Sequence, residues 1–286
     1  MEVITFSTGK PGNHLLVLGR IHGDEPCGTN SIKRLEAEIA SGKISPTCGH
    51  LTMIPCCNPR AGAVNRRFLD KNLNRIFRRH TPAVAYEERL ANTLIELIET
   101  PRKPDFILDL HSFNAGGPSA PSFAMRVDSH PLISRIVGRL PITYCLNGWR
   151  EIQTAFKRPE AYSTIDHALA IGVPAIGIEC GQHVSELAKN AAYQSIREVM
   201  GELGICEPEK TQTASAPKNL YFKHVEISDG GGQFVNKWTG FEMVVKGQPI
   251  GRRKNNEVVC APLDGRITLP NEKAPAGAEW FYITQE

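Results

Sequence analysis

Three apolar stretches of this sequence each run into side chains that can bind a metal ion or carry a proton. The first ends in His22 and Glu25, the second ends in His111, and the third contains Glu179. In open α/β sheets the ligand crevice lies beyond the carboxyl ends of the strands, so residues this far apart in sequence can meet there. Three ligands drawn from His, Glu and Asp, with a fourth position left for water, are typical of zinc hydrolases. The sequence therefore predicts a zinc hydrolase.

The predicted metal ligands are His22, Glu25 and His111, which would hold one zinc ion per chain. His22 and Glu25 are three residues apart, a spacing that places both side chains on one face of a tight turn opening a helix. Two imidazoles and a carboxylate suit zinc, although cobalt or nickel can occupy the same ligands. Two other interpretations stay open. A His-x-x-Glu pair arises easily by chance among nine histidines, and His111 can be a histidine satisfied within the core.

Glu179 is the predicted general base, because it ends the most apolar of the three strands. Partial desolvation there would raise its pKa toward the range of a group that takes a proton from water and gives it to a departing nitrogen. Asp109 lies two residues before His111 and therefore on the same strand face. Its carboxylate can hold the imidazole from behind the metal, or it can equally cap a neighbouring helix.

An arginine-rich segment, residues 57–77, separates the first two ligand stretches. Its pattern is too irregular for regular secondary structure. Arginine offers a planar fork of donors that matches a carboxylate or the oxyanion that develops in acyl transfer. We predict substrate contacts from Arg60, Asn74 and Arg75. Surface salt bridges are the expectation for Arg78 and Arg79.

The first two thirds of the chain alternate apolar strand-like runs with segments of helical period, the order of an α/β sheet with helices on both faces. Strands are predicted at residues 3–6, 15–19, 50–55, 106–110, 122–127 and 175–179, and helices at 29–40, 83–99, 132–140, 161–170 and 185–203. We assign residues 1–205 to this catalytic domain. A polar stretch with two prolines, within residues 206–219, predicts a linker. Short strands broken by Gly and Pro predict a small all-β domain over residues 220–286.

The overall composition favours a small-molecule enzyme over a nucleic-acid or membrane protein. A net charge of +3, without blocks of Lys and Arg, is too mild to indicate nucleic acid or an anionic membrane as partner. No apolar run approaches the roughly 20 residues that span a bilayer, and the first residues lack the features of an export signal. The eight cysteines show no Cys-x-x-Cys spacing and are expected to be reduced. We therefore expect a cytoplasmic protein; a homo-oligomer stays open.

Several short motifs together resemble the succinylglutamate desuccinylase and aspartoacylase family, which belongs to the wider zinc carboxypeptidase-like group. The resemblance covers residues 14–203 in order and rests on residues 22–25, 58–61, 70–77, 109–111 and 177–181. It implies a mixed central sheet with helices on both faces and a small β domain at the end. It also implies hydrolysis of the amide of an N-acyl amino acid or a similar small amide.

Carried onto this sequence, the resemblance implies zinc ligands His22, Glu25 and His111, with Glu179 as general base and proton shuttle. Arg60 would polarise the scissile carbonyl. Asn74 and Arg75 would bind a substrate carboxylate.

One departure from the family pattern concerns substrate choice. Aspartoacylases carry Tyr-x-Thr-Thr-Arg before the Glu-bearing strand, whereas residues 162–166 read Tyr-Ser-Thr-Ile-Asp. If Asp166 replaces that arginine, a second substrate carboxylate is repelled, so a substrate with one carboxylate or with an amine is favoured. Tyr162 is predicted to line the pocket. Tyr282 is a further candidate from the β domain.

Two alternative functions remain at this stage. A metallocarboxypeptidase would use the same zinc ion, glutamate and arginine on a peptide in a more open cleft. A non-catalytic zinc-binding protein of the same fold is the other alternative. The presence of His22, Glu25, His111 and Glu179 together counts against it.

Overall fold

The computed structural model of the chain describes residues 1–114, 120–125, 130–155, 161–208 and 216–286. The helices in these ranges are α1 Cys27–Ala40, α2 Pro59–Ala63, α3 Tyr86–Glu99, α4 Pro131–Val137, α5 Trp149–Ala155, α6 Thr164–Ala170 and α7 Glu186–Glu202. The strands are β1 Ile4–Ser7, β2 His14–Gly19, β3 His50–Ile54, β4 Phe106–Phe113, β5 Phe123–Met125, β6 Tyr144–Asn147, β7 Ala175–Gln182, β8 Lys218–Ile227, β9 Gln233–Phe234, β10 Met243–Val244, β11 Pro249–Arg252, β12 Val258–Cys260, β13 Gly265–Thr268 and β14 Glu279–Gln285.

A mixed sheet of eleven strands organises the described part of the chain. Its order is β1-β3-β2-β4-β7-β5-β6-β8-β14-β13-β10, and β12-β11-β9 form a second, three-stranded sheet. The central strands β3, β2, β4 and β7 are parallel to one another. Parallel strands need both faces covered, which explains their nearly continuous apolar sequences. The predicted fold class, a mixed central sheet with helices on both faces plus a small β region, is confirmed.

Alternate side chains along the central strands pack into two separate hydrophobic cores, one on each face of the sheet. In β2, Leu15 and Val17 join the core under α1, α4 and α7, whereas Leu16 and Leu18 join the core under α3 and α6. In β4 the same alternation places Leu108 on the α1 side. Because successive side chains of a strand point to opposite faces, Asp109 and His111 lie on the α3 and α6 face. This alternation decides on which face of the sheet the chemistry sits.

The predicted strand ends needed one correction. Strand β2 ends at Gly19, before His22, as expected, but β4 continues to Phe113 and β7 continues to Gln182. His111 and Glu179 therefore lie within paired strands, where they oppose each other directly. The strands predicted at 106–110 and 175–179 were too short, because polar residues replace apolar ones where the two strands leave the core and line a cleft.

The C-terminal strands extend the central sheet as well as forming a smaller one. Strand β8 pairs in parallel with β6 and antiparallel with β14, so hydrogen bonding continues from residues before 208 to residues after 216. The short strands predicted within residues 220–286 are present, among them β9 to β14. The predicted domain boundaries stay a prediction, and residues 209–215 of the predicted linker lie outside the described residues.

The predicted helices and strands were each found within a few residues of their expected positions, although residues 126–127 of the strand predicted at 122–127 lie outside the described residues. The prediction that residues 57–77 are too irregular for regular secondary structure was wrong, because they contain helix Pro59–Ala63 and a 3₁₀ turn, Leu73–Arg75. The strand Tyr144–Asn147 and the helix Trp149–Ala155 were not predicted either. None of the helices in the described ranges has the length and apolar character needed to cross a bilayer.

Candidate active site

The three predicted metal ligands converge in one buried cluster. His22 and Glu25 lie on the turn between β2 and α1, and His111 lies in β4. The Glu25 carboxylate stands between the two imidazoles, with 2.8 Å from Oε1 to Nδ1 of His22 and 2.8 Å from Oε2 to Nδ1 of His111. One potential ligand atom from each residue lies within 4.8 Å of the others. Two imidazole nitrogens and one carboxylate form a donor set that fits zinc.

The outer nitrogens of both histidines contact side-chain oxygens. Nε2 of His111 lies 3.0 Å from Oδ2 of Asp109, and Nε2 of His22 lies 3.0 Å from Oδ1 of Asn72. An oxygen acceptor at Nε2 favours the tautomer whose proton is on Nε2, which leaves Nδ1 free to bind a metal. The contact predicted from Asp109 is present. The contact from Asn72 was not predicted, because Asn72 lies in an irregular segment without a periodic signal.

Glu25 is further held by two donors. Nη1 of Arg67 lies 2.8 Å from its Oε1, and the backbone N–H of Ser112 donates to Oε2 over 3.1 Å. Burial alone would raise the pKa of Glu25, but His22 and His111 hold it well below its usual range. The carboxylate is therefore ionised, as a metal ligand must be.

The two imidazoles differ in their electrostatic surroundings. Burial, followed by the positive charge of Arg67, lowers the pKa of His22 to about 4. Burial also acts to lower the pKa of His111, but the carboxylates of Asp109 and Glu25 raise it well above 6.5. The two carboxylates therefore favour positive charge at His111, carried either by a proton or by a metal ion that displaces it.

Glu179 faces the same cluster from β7, the strand next to β4. It pairs directly with His111 in the strand register. Its Oε2 atom is buried and makes no hydrogen bond within the described residues. Burial, and then repulsion from Glu25, raise the pKa of Glu179 to about 8. A carboxyl group with this pKa can both accept and release a proton near neutral pH.

Asn74 and Arg75 lie in a 3₁₀ turn, Leu73–Arg75, that lines the same cleft. Nδ2 of Asn74 lies 3.4 Å from Nε2 of His111. Nη1 of Arg75 donates to the Asn74 carbonyl over 2.9 Å, and the Arg75 guanidinium lies 5.7 Å from the Trp149 ring. The turn thus brings a planar cation beside the metal ligands.

Tyr162 supports that turn through its backbone. Its N–H donates to the Arg75 carbonyl and its carbonyl accepts from the Phe77 N–H, both over 2.8 Å. Tyr162 is not among the residues that line the cleft, whereas its neighbours Ala161 and Ser163 are. The structure thus places Tyr162 beneath the predicted substrate contacts and not at the pocket surface.

Arg60 does not lie in the cleft. It is exposed on α2, and its guanidinium packs 4.7 Å from the Tyr86 ring. Arg67, which was not singled out from the sequence, lines the cleft instead and contacts Glu25. Sequence alone could not separate the two, because the segment has several arginines and no periodicity to tell which of them faces inward.

Asp166 also lies outside the cleft lining. It is buried at the start of α6, where its Oδ2 accepts from the Ser163 backbone N–H over 2.9 Å and from the Ser163 hydroxyl over 2.7 Å. Its Oδ1 pairs with Arg150 of helix α5. The carboxylate predicted to face the substrate is thus used as a helix cap and ion-pair partner.

The remaining cleft wall comes largely from α5 and from the C-terminal strands. Tyr282 of β14 is buried and lines the cleft, and its hydroxyl accepts from Nε2 of Gln153 over 3.3 Å. His183 lines the cleft and binds the Ser112 hydroxyl through Nδ1 over 2.8 Å. The cleft volume is about 1830 Å³. Residues far apart in sequence thus line one open cleft beside the ligand cluster.

Comparison with known proteins identifies the family of this chain. The family model described as the succinylglutamate desuccinylase/aspartoacylase catalytic domain matches residues 11–220. A probable aspartoacylase from Nostoc sp. is 28% identical over 109 residues, 36% of this chain and 36% of that protein. The N-acyl-aromatic-L-amino acid amidohydrolase (carboxylate-forming) of Rattus norvegicus is 33% identical over 115 residues, 37% of this chain and 35% of that protein. The chain spans about a third of the length of these curated relatives.

Solved structures show the same fold across almost the whole chain. A succinylglutamate desuccinylase/aspartoacylase from Rhodobacter sphaeroides has a TM-score of 0.76 at 17% identity and covers 99% of this chain and 88% of its own. The product-bound ectoine utilization protein EutE (DoeB) from Ruegeria pomeroyi has a TM-score of 0.76 at 19% identity, with the same coverage of 99% and 88%. With the match over residues 11–220, the resemblance seen in the sequence is confirmed: this chain belongs to the succinylglutamate desuccinylase/aspartoacylase family, whose members are deacylases.

Proposed function

We propose that this protein is a zinc-dependent amidohydrolase that removes the acyl group from a small N-acyl amino acid or a related amide. The main support is the position of Glu179 beside the proposed ligand cluster. His22, Glu25 and His111 form a buried ligand cluster directly beside Glu179, whose Oε2 atom has no hydrogen-bond partner within the described residues. A buried carboxylate oxygen without a partner is costly, and such groups concentrate at sites where protons are transferred.

The residues present fit a zinc ion. Nδ1 of His22, Nδ1 of His111 and one oxygen of Glu25 would hold it, while Asn72 and Asp109 orient the two imidazoles. A zinc ion in that position would polarise a carbonyl group and lower the pKa of water.

Glu179 supplies the proton transfers. With its pKa raised to about 8, it accepts a proton from the attacking water and then gives that proton to the amide nitrogen as the C–N bond breaks. The products are a carboxylic acid and a free amine. The direct strand pairing of Glu179 with His111 sets its carboxylate beside the ligand cluster throughout this cycle.

The cationic side chains of the cleft bind and activate the substrate. Arg75 and Asn74 would bind the carboxylate of the acylated amino acid, since both line the cleft beside His111. Arg67 would donate to the carbonyl oxygen as it becomes negative, the role predicted for Arg60, because Arg67 reaches Glu25 and Arg60 does not lie in the cleft.

The decisive test is deacylation by the zinc-loaded protein across N-acetyl and N-succinyl amino acids, with detection of the released amine. The rat relative is named for N-acyl-aromatic amino acids and the Nostoc relative as an aspartoacylase, so the panel includes both aromatic and acidic members. Release that a chelator abolishes and zinc restores supports the proposal. Zinc bound in stoichiometric amount with no release from any member contradicts it.

A peptidase is the second candidate, favoured by one feature of the site. The cleft of about 1830 Å³ exceeds the roughly 300–1000 Å³ usual for small-ligand pockets. C-terminal amino acids released from short peptides by the same zinc-loaded sample, without release from acylated amino acids, would favour a metallocarboxypeptidase. A protein that binds zinc and hydrolyses neither class would be the non-catalytic alternative.

A further inference from the structure

Thr164 links a residue on the metal side of the cleft to a residue on the substrate side. It is the first residue of α6, its exposed fraction is 1%, and it touches both Asp109 and Asn74. Asp109 stands behind the proposed ligand His111, and Asn74 belongs to the turn proposed to bind the substrate carboxylate. A single residue therefore contacts the supports of both functions.

The side chain of Thr164 serves the metal side. Its hydroxyl donates to Oδ2 of Asp109, the same oxygen that lies 3.0 Å from Nε2 of His111. Asp109 is fully buried, and its other oxygen, Oδ1, makes no hydrogen bond within the described residues. Within these residues, the carboxylate that orients His111 is thus held by the Thr164 hydroxyl and by the imidazole itself.

The backbone of Thr164 serves the substrate side. Its N–H donates to Oδ1 of Asn74 over 3.0 Å, and the hydroxyl oxygen lies 3.3 Å from the same atom. A hydroxyl carries one proton, and a carboxylate is the stronger acceptor, so that proton goes to Asp109. Asn74 is therefore held mainly by the backbone N–H, which substitution of the side chain leaves in place.

The N-terminus of α6 is itself fixed. Oγ of Ser163 accepts from the Asp166 N–H over 3.2 Å, while Oδ2 of Asp166 accepts from the Ser163 N–H over 2.9 Å. This reciprocal cap satisfies two free donors at the start of the helix and restricts where Thr164 can lie. Asp166, predicted from the sequence to contact substrate, thus stabilises the helix end that carries Thr164.

We propose that Thr164 is a positioning residue whose hydroxyl orients His111 through Asp109 and whose backbone N–H holds Asn74 toward the substrate. The inference rests on the proposed zinc amidohydrolase function. The contributions of the Thr164 hydroxyl and of its backbone N–H can be measured independently. The hydrogen bond from the Thr164 hydroxyl to Asp109 acts on metal affinity and turnover. The hydrogen bond from the Thr164 N–H to Asn74 acts on substrate binding.

The test compares Thr164→Val, which keeps the shape and removes the hydroxyl, with Thr164→Ser, which keeps the hydroxyl. Thr52→Val is the matched control, because Thr52 is also buried and bonded to a histidine, with 2.9 Å between its Oγ1 and Nε2 of His14, but its side chain makes no hydrogen bond to Asp109 or Asn74 within the described residues. For each protein we would measure zinc affinity by competition with a chromophoric chelator, kcat and KM for the best panel substrate, and the melting temperature without metal.

Thr164→Val should weaken zinc binding or lower kcat by about 10- to 100-fold, the range typical for residues that orient a metal ligand. KM should change by less than about threefold, since the backbone N–H to Asn74 remains. Thr164→Ser should restore most of both losses, and Thr52→Val should change neither. In an Asp109→Asn background, Thr164→Val should have little additional effect, because the two substitutions act through one carboxylate.

Zinc affinity and kcat of Thr164→Val both within about twofold of the unmodified protein would overturn the inference, as would a Thr164→Ser variant as impaired as Thr164→Val. These outcomes differ from a failure of the proposed function. That failure would appear in the unmodified protein, as no zinc binding or as zinc binding without deacylation. If the unmodified protein binds zinc without deacylation, the zinc affinity of Thr164→Val still tests the role of the hydroxyl.

Discussion

His111 and Glu179 face each other directly across the adjacent parallel strands β4 and β7. Neighbouring strands in a sheet are separated by about 4.8 Å, so the proposed ligand and the proposed base are held at a nearly fixed spacing by backbone hydrogen bonds. Gly177, two residues before Glu179 on the same face, also lines the cleft. The arrangement requires no loop movement to bring base and metal ligands together.

Glu179→Gln should lower kcat by about 100- to 10,000-fold while zinc remains bound, because glutamine cannot accept the proton from water. The amide keeps the shape of the side chain, and Glu179 is not one of the three proposed ligands. Steady-state deacylation and metal content by atomic absorption measure the two parts separately. Glu186→Gln, at a side chain that is 78% exposed, is the matched control and should retain full activity. Normal turnover in Glu179→Gln would rule out the proposed proton transfer.

The two arginines of the irregular segment should differ sharply in their effects. Arg67→Met removes a donor that contacts Glu25 in the cleft, and we expect kcat/KM to fall by about 100-fold. Arg60→Met removes an exposed side chain packed on Tyr86, and activity should stay unchanged. Kinetics of the pair on one substrate decide between them. A large loss at Arg60 with none at Arg67 would restore the assignment made from the sequence.

The sequence was most informative where regular secondary structure fixes the direction of a side chain. Alternation along β4 places Asp109 and His111 on one face, and the three-residue spacing of His22 and Glu25 places them on one turn. These short-range rules hold whatever the distant contacts are, so the ligand cluster could be predicted. Glu179 needed a different rule, that the ligand crevice of an open α/β sheet lies at the carboxyl ends of its strands, and β7 does lie beside β4.

The sequence was least informative where contacts between distant, irregular segments determine which side chains face the cleft. The backbone of Arg67 is held in place because the Gly23 N–H donates to its carbonyl over 3.1 Å. These residues are 44 positions apart, and no periodic pattern in the sequence predicts their contact. Asp166 turns from the cleft because Arg150, on a helix that was not predicted, lies beside it. Such tertiary pairs override the local pattern, and Tyr282 reaches the cleft by the same kind of long-range packing.

Gly23 should tolerate no side chain, because the turn that carries His22 and Glu25 presses against another backbone. A Cβ at Gly23 would lie 2.3 Å from the carbonyl carbon of Ala61 and 2.5 Å from the Arg66 carbonyl oxygen. Gly23→Ala should therefore lower the free energy of unfolding by about 2 to 3 kcal/mol and weaken zinc binding. Urea unfolding and chelator competition measure these effects. Gly138→Ala, whose Cβ would meet its nearest atom at 3.6 Å, is the control and should be nearly neutral.

The stability of the protein should fall in acid partly through Glu38. Burial would raise the pKa of Glu38, but hydrogen bonds from Lys43, Tyr193 and Arg34 lower it from 4.5 to about 2. A carboxyl whose folded-state pKa is depressed stabilises the fold above its unfolded pKa, and that stability is lost as the pH falls from about 4.5 toward 2.

Glu38→Gln should therefore reduce the free energy of unfolding at neutral pH by about 1 to 2 kcal/mol, with a difference from the unmodified protein that shrinks below pH about 4. Denaturant unfolding at several pH values measures it. The exposed control Glu186→Gln should show no such dependence. A difference that stays constant from neutral pH to pH about 3 would show that Glu38 acts through packing and not through its charge.

Asp166 should affect stability more than substrate choice. Its carboxylate accepts from the Ser163 N–H over 2.9 Å, pairs with Arg150 and does not line the cleft. Asp166→Asn should thus cost about 1 kcal/mol of stability, the typical effect of a weakened helix cap, and Ser163→Ala should do the same. The ratio of kcat/KM for N-acetylaspartate to that for an acetylated amino acid with an uncharged side chain should stay within about threefold of its original value in both variants. A rise of more than about tenfold in that ratio for Asp166→Asn alone would mean that the carboxylate repels a second substrate carboxylate, as the sequence first suggested.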